Sequence, residues 1–93
     1  MVWVRDGESA VHTARELRPD LILMDLRLPG MNGWDAIQQI RTDALLQNIP
    51  IIAISVEAKG DDRRRAFDAG CNEYFSKPFS IVELRNAVQK YIG

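Results

Sequence analysis

Ninety-three residues make one domain with room for a single hydrophobic core, and 12 Lys plus Arg against 13 Asp plus Glu leave a formal charge of -1. That balance supplies no general attraction to DNA, RNA or an anionic membrane, so neither nucleic acid nor a membrane is an expected partner. Cys71 is the only cysteine, which excludes an intrachain disulfide and a cysteine-based zinc cluster; with no apolar stretch of the roughly twenty residues a membrane span needs and no signal-peptide pattern in "MVWVRDGESA", a cytoplasmic protein is expected.

In chain order, the apolar run "MVWV" reads as a strand, and Asp6 is the N-cap of "GESAVHTAREL", whose Ala10, Val11, Ala14 and Leu17 fall on one side of a helix. "RPD" returns the chain to a second strand, "LILMDL". Asn32 caps "GWDAIQQIRTDALLQ", with Trp34, Ile37, Ile40 and Ala44 as its buried stripe, and Pro50 marks the entrance to a third strand, "IPIIAIS". A more polar helix follows in "EAKGDDRRRAFDAG", terminated by Gly70, and then a short strand, "EYFS". Ser80 and Glu83 form a capping box for the last helix, with Ile81, Leu84, Val88 and Ile92 on one face.

Continuous rather than alternating apolar runs suit parallel strands covered on both faces, so the order β-α-β-α-β-α-β-α predicts the α/β class. No internal repeat, low-complexity segment or linker interrupts it. Trp34 and Cys71 read as packing residues, the charged run 61–65 as a solvated surface, and His12 as surface decoration rather than a catalytic base.

In "LILMDLRLPGMNG" a strand that reads as buried ends on an acid, and a buried carboxylate is costly unless something pairs with it or uses it. Open parallel sheets gather their functional groups outside the carboxyl ends of the strands. Asp25 lies near the end of the second strand, Ser55 at the end of the third and Lys77 just beyond the fourth. A carboxylate to attack phosphorus, a hydroxyl to donate to a phosphoryl oxygen and an ammonium to neutralise charge suit phosphoryl transfer, with Asp25 as nucleophile.

With "LILMDLRLPGMNG", "IPIIAIS" and "EYFSKPF" in this order, and Ser55 and Lys77 thirty and fifty-two residues after Asp25, essentially the whole chain resembles the receiver domain of two-component response regulators. The resemblance implies a flavodoxin-like parallel sheet. In it Asp25 is the phosphate-accepting aspartate, Ser55 the hydroxyl residue that reports phosphorylation, Lys77 the family's lysine, and Tyr74 the switch aromatic that follows the hydroxyl. Pro78 matches a proline the family usually holds behind a cis peptide, an isomer the sequence alone leaves open. Pro29, Gly30 and Gly33 fit the turn after the aspartate.

The resemblance begins late, because "MVWVRDGESAV" matches the family's second strand and second helix. The expectation is therefore a truncated receiver over residues 1–93, an incomplete sheet of about four strands alternating with four helices, without the acidic pair that ends the family's first strand. In the family that pair holds magnesium together with the aspartate and the backbone carbonyl two residues later. Asp25 and the carbonyl of Arg27 alone are expected to bind Mg2+ weakly, with impaired phosphorylation as the result. Arg27 as a substitute cation and Arg27 in solvent both stay open, and Val56 is a candidate to narrow phosphate access. In the family order 2-1-3-4-5 the absent strand is central, so residues 21–26 are left with an apolar edge that pairs with residues 1–4 or with another molecule. A homodimer or oligomer through an exposed sheet edge or face is expected.

The function read from this is a signalling module contacting a histidine kinase or downstream target, not an enzyme, through the helix at 61–68, the Tyr74 strand and the last helix. The alternative is a phosphorylation-competent receiver in a phosphorelay, its missing elements supplied by a partner chain. An aspartyl-phosphate hydrolase ranks lower, since dehalogenase-like enzymes need an acid where Arg27 stands, and the strand-to-helix turns lack the G-x-G-x-x-G of dinucleotide enzymes.

Overall fold

The computed structural model describes residues 1–5, 7–26, 33–55 and 62–92. Four strands, β1 (Val2–Val4), β2 (Ile22–Leu26), β3 (Ile51–Ser55) and β4 (Glu73–Ser76), alternate with α1 (Gly7–Leu17), α2 (Gly33–Thr42), α3 (Asp62–Ala69) and α4 (Ile81–Ile92). All neighbouring strands are parallel and the sheet order is β1-β2-β3-β4, the flavodoxin-like α/β arrangement. Of the two pairings open to residues 21–26, the intramolecular one is present: Val2, Trp3 and Val4 pair with Ile22, Leu23 and Met24, so β2 has a neighbour on each side. Helix α1 supplies the crossover that a parallel pair requires.

The sheet's faces are unequally covered. Val4, Met24, Ala53 and Tyr74 belong to a core under α1, α2 and α3, built with Ala10, Ala14, Ile37 and Ile40. On the other face Leu21, Leu23, Ile52 and Ile54 pack with Ala87 of α4 and the half-buried Phe75, Leu84, Val88 and Tyr91. Among the described residues no helix is long and apolar enough to cross a membrane.

Three helices depart from their expected stripes. In α1, Ala10, Val11 and Ala14 are buried but Leu17 is exposed. The helix ends beside it: Arg18 has φ 43° and its N–H donates to the Ala14 carbonyl at 2.9 Å, a left-handed stop followed by Pro19. Helix α2 stops at Thr42 because Asp43 turns the chain, its carboxylate accepting from Leu45 N–H at 2.9 Å and its carbonyl from Leu46 N–H at 3.0 Å. Ala44 is consequently exposed and Leu46 takes the buried place. In α4, Ser80 Oγ accepts from Glu83 N–H at 3.3 Å as a cap, yet Ile81 is 71% exposed and Ile92 45%. Ala87 is the buried residue, because this face of the sheet meets α4 on the side of Leu84, Ala87, Val88 and Tyr91. The proposed caps Asp6 and Asn32 and the segment 56–61 lie outside the described residues.

At the end of the molecule where the strands begin, Arg41 ties elements together. Its guanidinium donates to the carbonyls of Gly70 (2.8 Å), Gln47 (3.0 Å) and Ile49 (2.7 Å) and to Asn72 Oδ1 (2.7 Å). The same Asn72 oxygen accepts from Ile51 N–H at 2.8 Å.

Cys71 is buried beside this cluster, and desolvation pushes its thiol from 9.0 up to about 12, against the lowering effect of Arg41. A raised folded-state value means that the unfolded thiol ionises first as pH rises, so this contribution to stability is full below pH 9.0 and is lost towards about pH 12. Denaturation midpoints across that interval are expected to fall more steeply for the wild type than for Cys71→Ala; parallel curves would exclude the thiol as the cause.

Candidate functional site at the strand ends

The apolar residues that make β2, β3 and β4 buried strands also deliver their last polar residues to one edge of the sheet. Asp25 is opposite Ile54 in register, and Ser55 is opposite Leu26 on one side and Ser76 on the other. Both polar residues are buried, at 8% and 0% exposure. Lys77 leaves β4 held by its own N–H, which donates to the Ser55 carbonyl at 2.8 Å, and the Lys77–Pro78 peptide is cis.

Lys77 Nζ stands 2.9 Å from Asp25 Oδ1 and donates to Oδ2 at 3.2 Å, which answers why a buried strand can end on an acid. The Lys77 side chain is 39% exposed and that of Asp25 11%, so water reaches the cation but hardly the carboxylate. Oδ1 is close to the ammonium but accepts no hydrogen bond. It is therefore held by the charge of Lys77 and not by a hydrogen bond, which leaves it lone-pair capacity for a phosphorus centre or a cation.

Those residues also decide how a divalent cation would fit. No group of three or more acidic, His or Cys residues able to hold a metal ion exists among the described residues, and the carboxylate placed against Lys77 at this edge is that of Asp25. Mg2+ accepts one or two carboxylates when water and phosphate oxygens complete its shell, and an Oδ1 that accepts no hydrogen bond is compatible with such a site. Arg27, whose carbonyl was the second expected ligand, lies outside the described residues, as do Pro29, Gly30 and Val56.

Tyr74 sits deeper, buried on the face covered by α1, α2 and α3, with its ring centroid 6.5 Å from that of Trp34. The sequence reading took Trp34 as core packing alone; the pairing is invisible along the chain because α2 and β4 meet only in the fold. His12 is exposed and lies 3.8 Å from Glu16, away from the strand ends. Arg63, Arg64 and Arg65 are exposed, as expected of a solvated run.

The family profile described as response regulator receiver domain matches residues 1–89. The polar-differentiation response regulator DivK of Brucella anthropi is 39% identical over 92 residues, a match covering 99% of this chain and 75% of that protein. The receiver domain of the sensor histidine kinase PA1611 from Pseudomonas aeruginosa PAO1, solved with a magnesium ion coordinated in its active site cleft, superposes with a TM-score of 0.79 at 42% identity, over 95% of this chain and 72% of that one. A putative response regulator from Chloroflexus aurantiacus gives a TM-score of 0.80 at 29% identity, over 94% of this chain and 71% of that one. With the fold and these similarities in agreement, the chain belongs to the response regulator receiver domain family of two-component signalling.

Proposed function

We propose that this receiver acts as a protein-interaction module in which magnesium-dependent phosphorylation of Asp25 is impaired. The observation that carries the reading is the setting of Asp25: its carboxylate is paired with Lys77, and no group of three or more residues able to hold a metal ion exists among the described residues. In the reaction available to this site, an Asp25 carboxylate oxygen forms a bond to the phosphorus of a phosphodonor while the bond from phosphorus to the leaving group breaks, an imidazole nitrogen in a phosphohistidine or an acetate oxygen in acetyl phosphate. Lys77 neutralises charge on the transferring group and Ser55 donates to a phosphoryl oxygen. A bound Mg2+ would be held weakly, by Asp25 and the Arg27 carbonyl, and would supply further charge neutralisation. The module is a substrate of phosphotransfer rather than an enzyme, it works in the cytoplasm, and its partners are a histidine kinase or a downstream target.

The phosphorelay alternative, in which a partner chain supplies part of the site, is favoured by one observation, the buried Oδ1 of Asp25 that accepts no hydrogen bond. Intact-protein mass after incubation with acetyl phosphate, with and without magnesium, separates the two. A slow adduct under conditions that rapidly label an intact receiver is expected; rapid magnesium-dependent labelling that Asp25→Asn abolishes would replace the impaired module with the phosphorelay reading.

The contact surface of the module is the groove of about 530 Å³ along β4, lined by Arg63, Tyr74, Phe75, Pro78, Phe79 and Glu83 among others. Self-association uses the other exposed apolar surfaces, the outer edge of β1 with Trp3 and the Ile81, Val82 and Ile92 side of α4. Light scattering is expected to show a dimer or larger species at micromolar concentration; a stable monomer throughout that range would remove self-association.

A further inference from the structure

Val4, Met24, Ala53 and Tyr74 stand side by side in the sheet register, so Tyr74 rises from the face that α1, α2 and α3 cover. Its neighbour in this row, Ala53, offers only a methyl group beside the ring. Trp34 comes from the first turn of α2, with its ring plane tilted 48° to that of Tyr74 and centroids 6.5 Å apart, a separation at which aromatic rings interact. Both residues are buried, and Trp34 Nε1 donates to no acceptor. A buried indole N–H ordinarily finds a partner. Packing alone, with no hydrogen bond, therefore holds this ring, and any shift of the first turn of α2 is felt at Tyr74. Met24, next to Asp25 in β2, belongs to the same core cluster as Trp34.

We propose that Trp34 is a positioning residue for Tyr74: it holds the tyrosine ring inside the fold and gives the Asp25 strand a second connection to β4, through α2, in addition to the one through Ser55. The connection to phosphorylation rests on the reading of Asp25 as acceptor, whereas the positioning of Tyr74 does not. A plain core residue at this place would lower stability when truncated but would leave the Tyr74 ring where it is. Loss of the aromatic partner is expected to lower the ratio of inward to outward Tyr74 about two- to tenfold, the range such a pair carries.

The test reads Tyr74 directly, by NMR of ring-labelled tyrosine, with Tyr91→Phe to assign the only other tyrosine. Trp34→Leu is expected to move the Tyr74 signals towards those of an exposed ring, and Trp34→Phe to restore most of the shift. Unchanged Tyr74 signals in Trp34→Leu, or no restoration by Phe, would overturn the proposal. Should Trp34→Leu fail to fold, the reciprocal measurement decides: in a Trp3→Phe background, where Trp34 is the sole emitter, Tyr74→Leu is expected to shift Trp34 fluorescence, and an unmoved spectrum overturns the pairing. Addition of acetyl phosphate and magnesium to the Trp3→Phe protein, with the mass recorded in parallel, tests the connection to Asp25. An adduct with unchanged Trp34 emission removes that connection, while absence of any adduct counts against Asp25 as acceptor and leaves the NMR result to decide the positioning.

Discussion

Replacing Lys77 with Met is expected to slow phosphoryl labelling of Asp25 by on the order of 100-fold, the loss typical when one preorganised charge-stabilising group is removed from a reacting centre. Lys77 Nζ is 2.9 Å and 3.2 Å from the two Asp25 oxygens, so it is in place before any phosphodonor arrives. The same substitution leaves an 11% exposed carboxylate without its counter-charge. A fully buried pair broken in this way costs several kcal/mol, but the Lys77 end is 39% exposed and water screens it, so about 1 kcal/mol of stability is the expected loss. Lys77→Arg keeps the charge but replaces a compact ammonium with a planar fork, and is expected to recover stability more fully than labelling. Labelling rates from intact mass and urea midpoints for the three proteins check this. Equal labelling by the wild type and Lys77→Met would remove Lys77 from the site.

Gly70→Ala is expected to destabilise the protein by about 2–3 kcal/mol, which for a domain of this size lowers the melting temperature by roughly 10–20 °C. Gly70 has φ +119°, a conformation L side chains rarely adopt, at the end of α3, where its N–H donates to the Phe67 carbonyl at 3.0 Å and Cys71 N–H to the Ala66 carbonyl at 3.1 Å. A methyl group there would lie 2.6 Å from Cγ of Arg41. That side chain cannot swing aside freely, since four hydrogen bonds hold its guanidinium, one of them to Gly70 itself. In an Arg41→Ala background the collision is gone and only the backbone strain remains, so Gly70→Ala should cost about 1 kcal/mol less there than in the wild type. Thermal melts of the four proteins of this cycle give the coupling, and additive losses would mean that the two residues do not interact.

The helices whose boundaries were legible are those whose signals are local. Helix α1 begins and ends where "GESAVHTAREL" does, and α4 starts after Ser80, because caps and prolines act within one turn. The end of α2 was misread because Asp43, an ordinary residue in a helical pattern, closes a turn on its own backbone instead. The α4 stripe was misread for another reason. Its spacing marks which residues can be buried, while burial depends on what lies opposite, and nothing among the described residues covers Ile81.

Asp25, Ser55 and Lys77 were legible as a set because each follows an apolar run that can only be a buried strand, and parallel strands bring their ends to one edge. The 2.9 Å pairing of Lys77 with Asp25 across fifty-two residues, the Arg41 contacts with Gly70 and Asn72 and the Trp34 ring beside Tyr74 were not. The sequence by itself determined the order of elements and which polar residues follow the buried strands, since hydrophobic periodicity and turn residues act over a few positions. Only the tertiary structure decided that β1 closes against β2, which helix faces stay exposed and which distant side chains touch, because these depend on the register and packing of segments that the chain brings together from far apart.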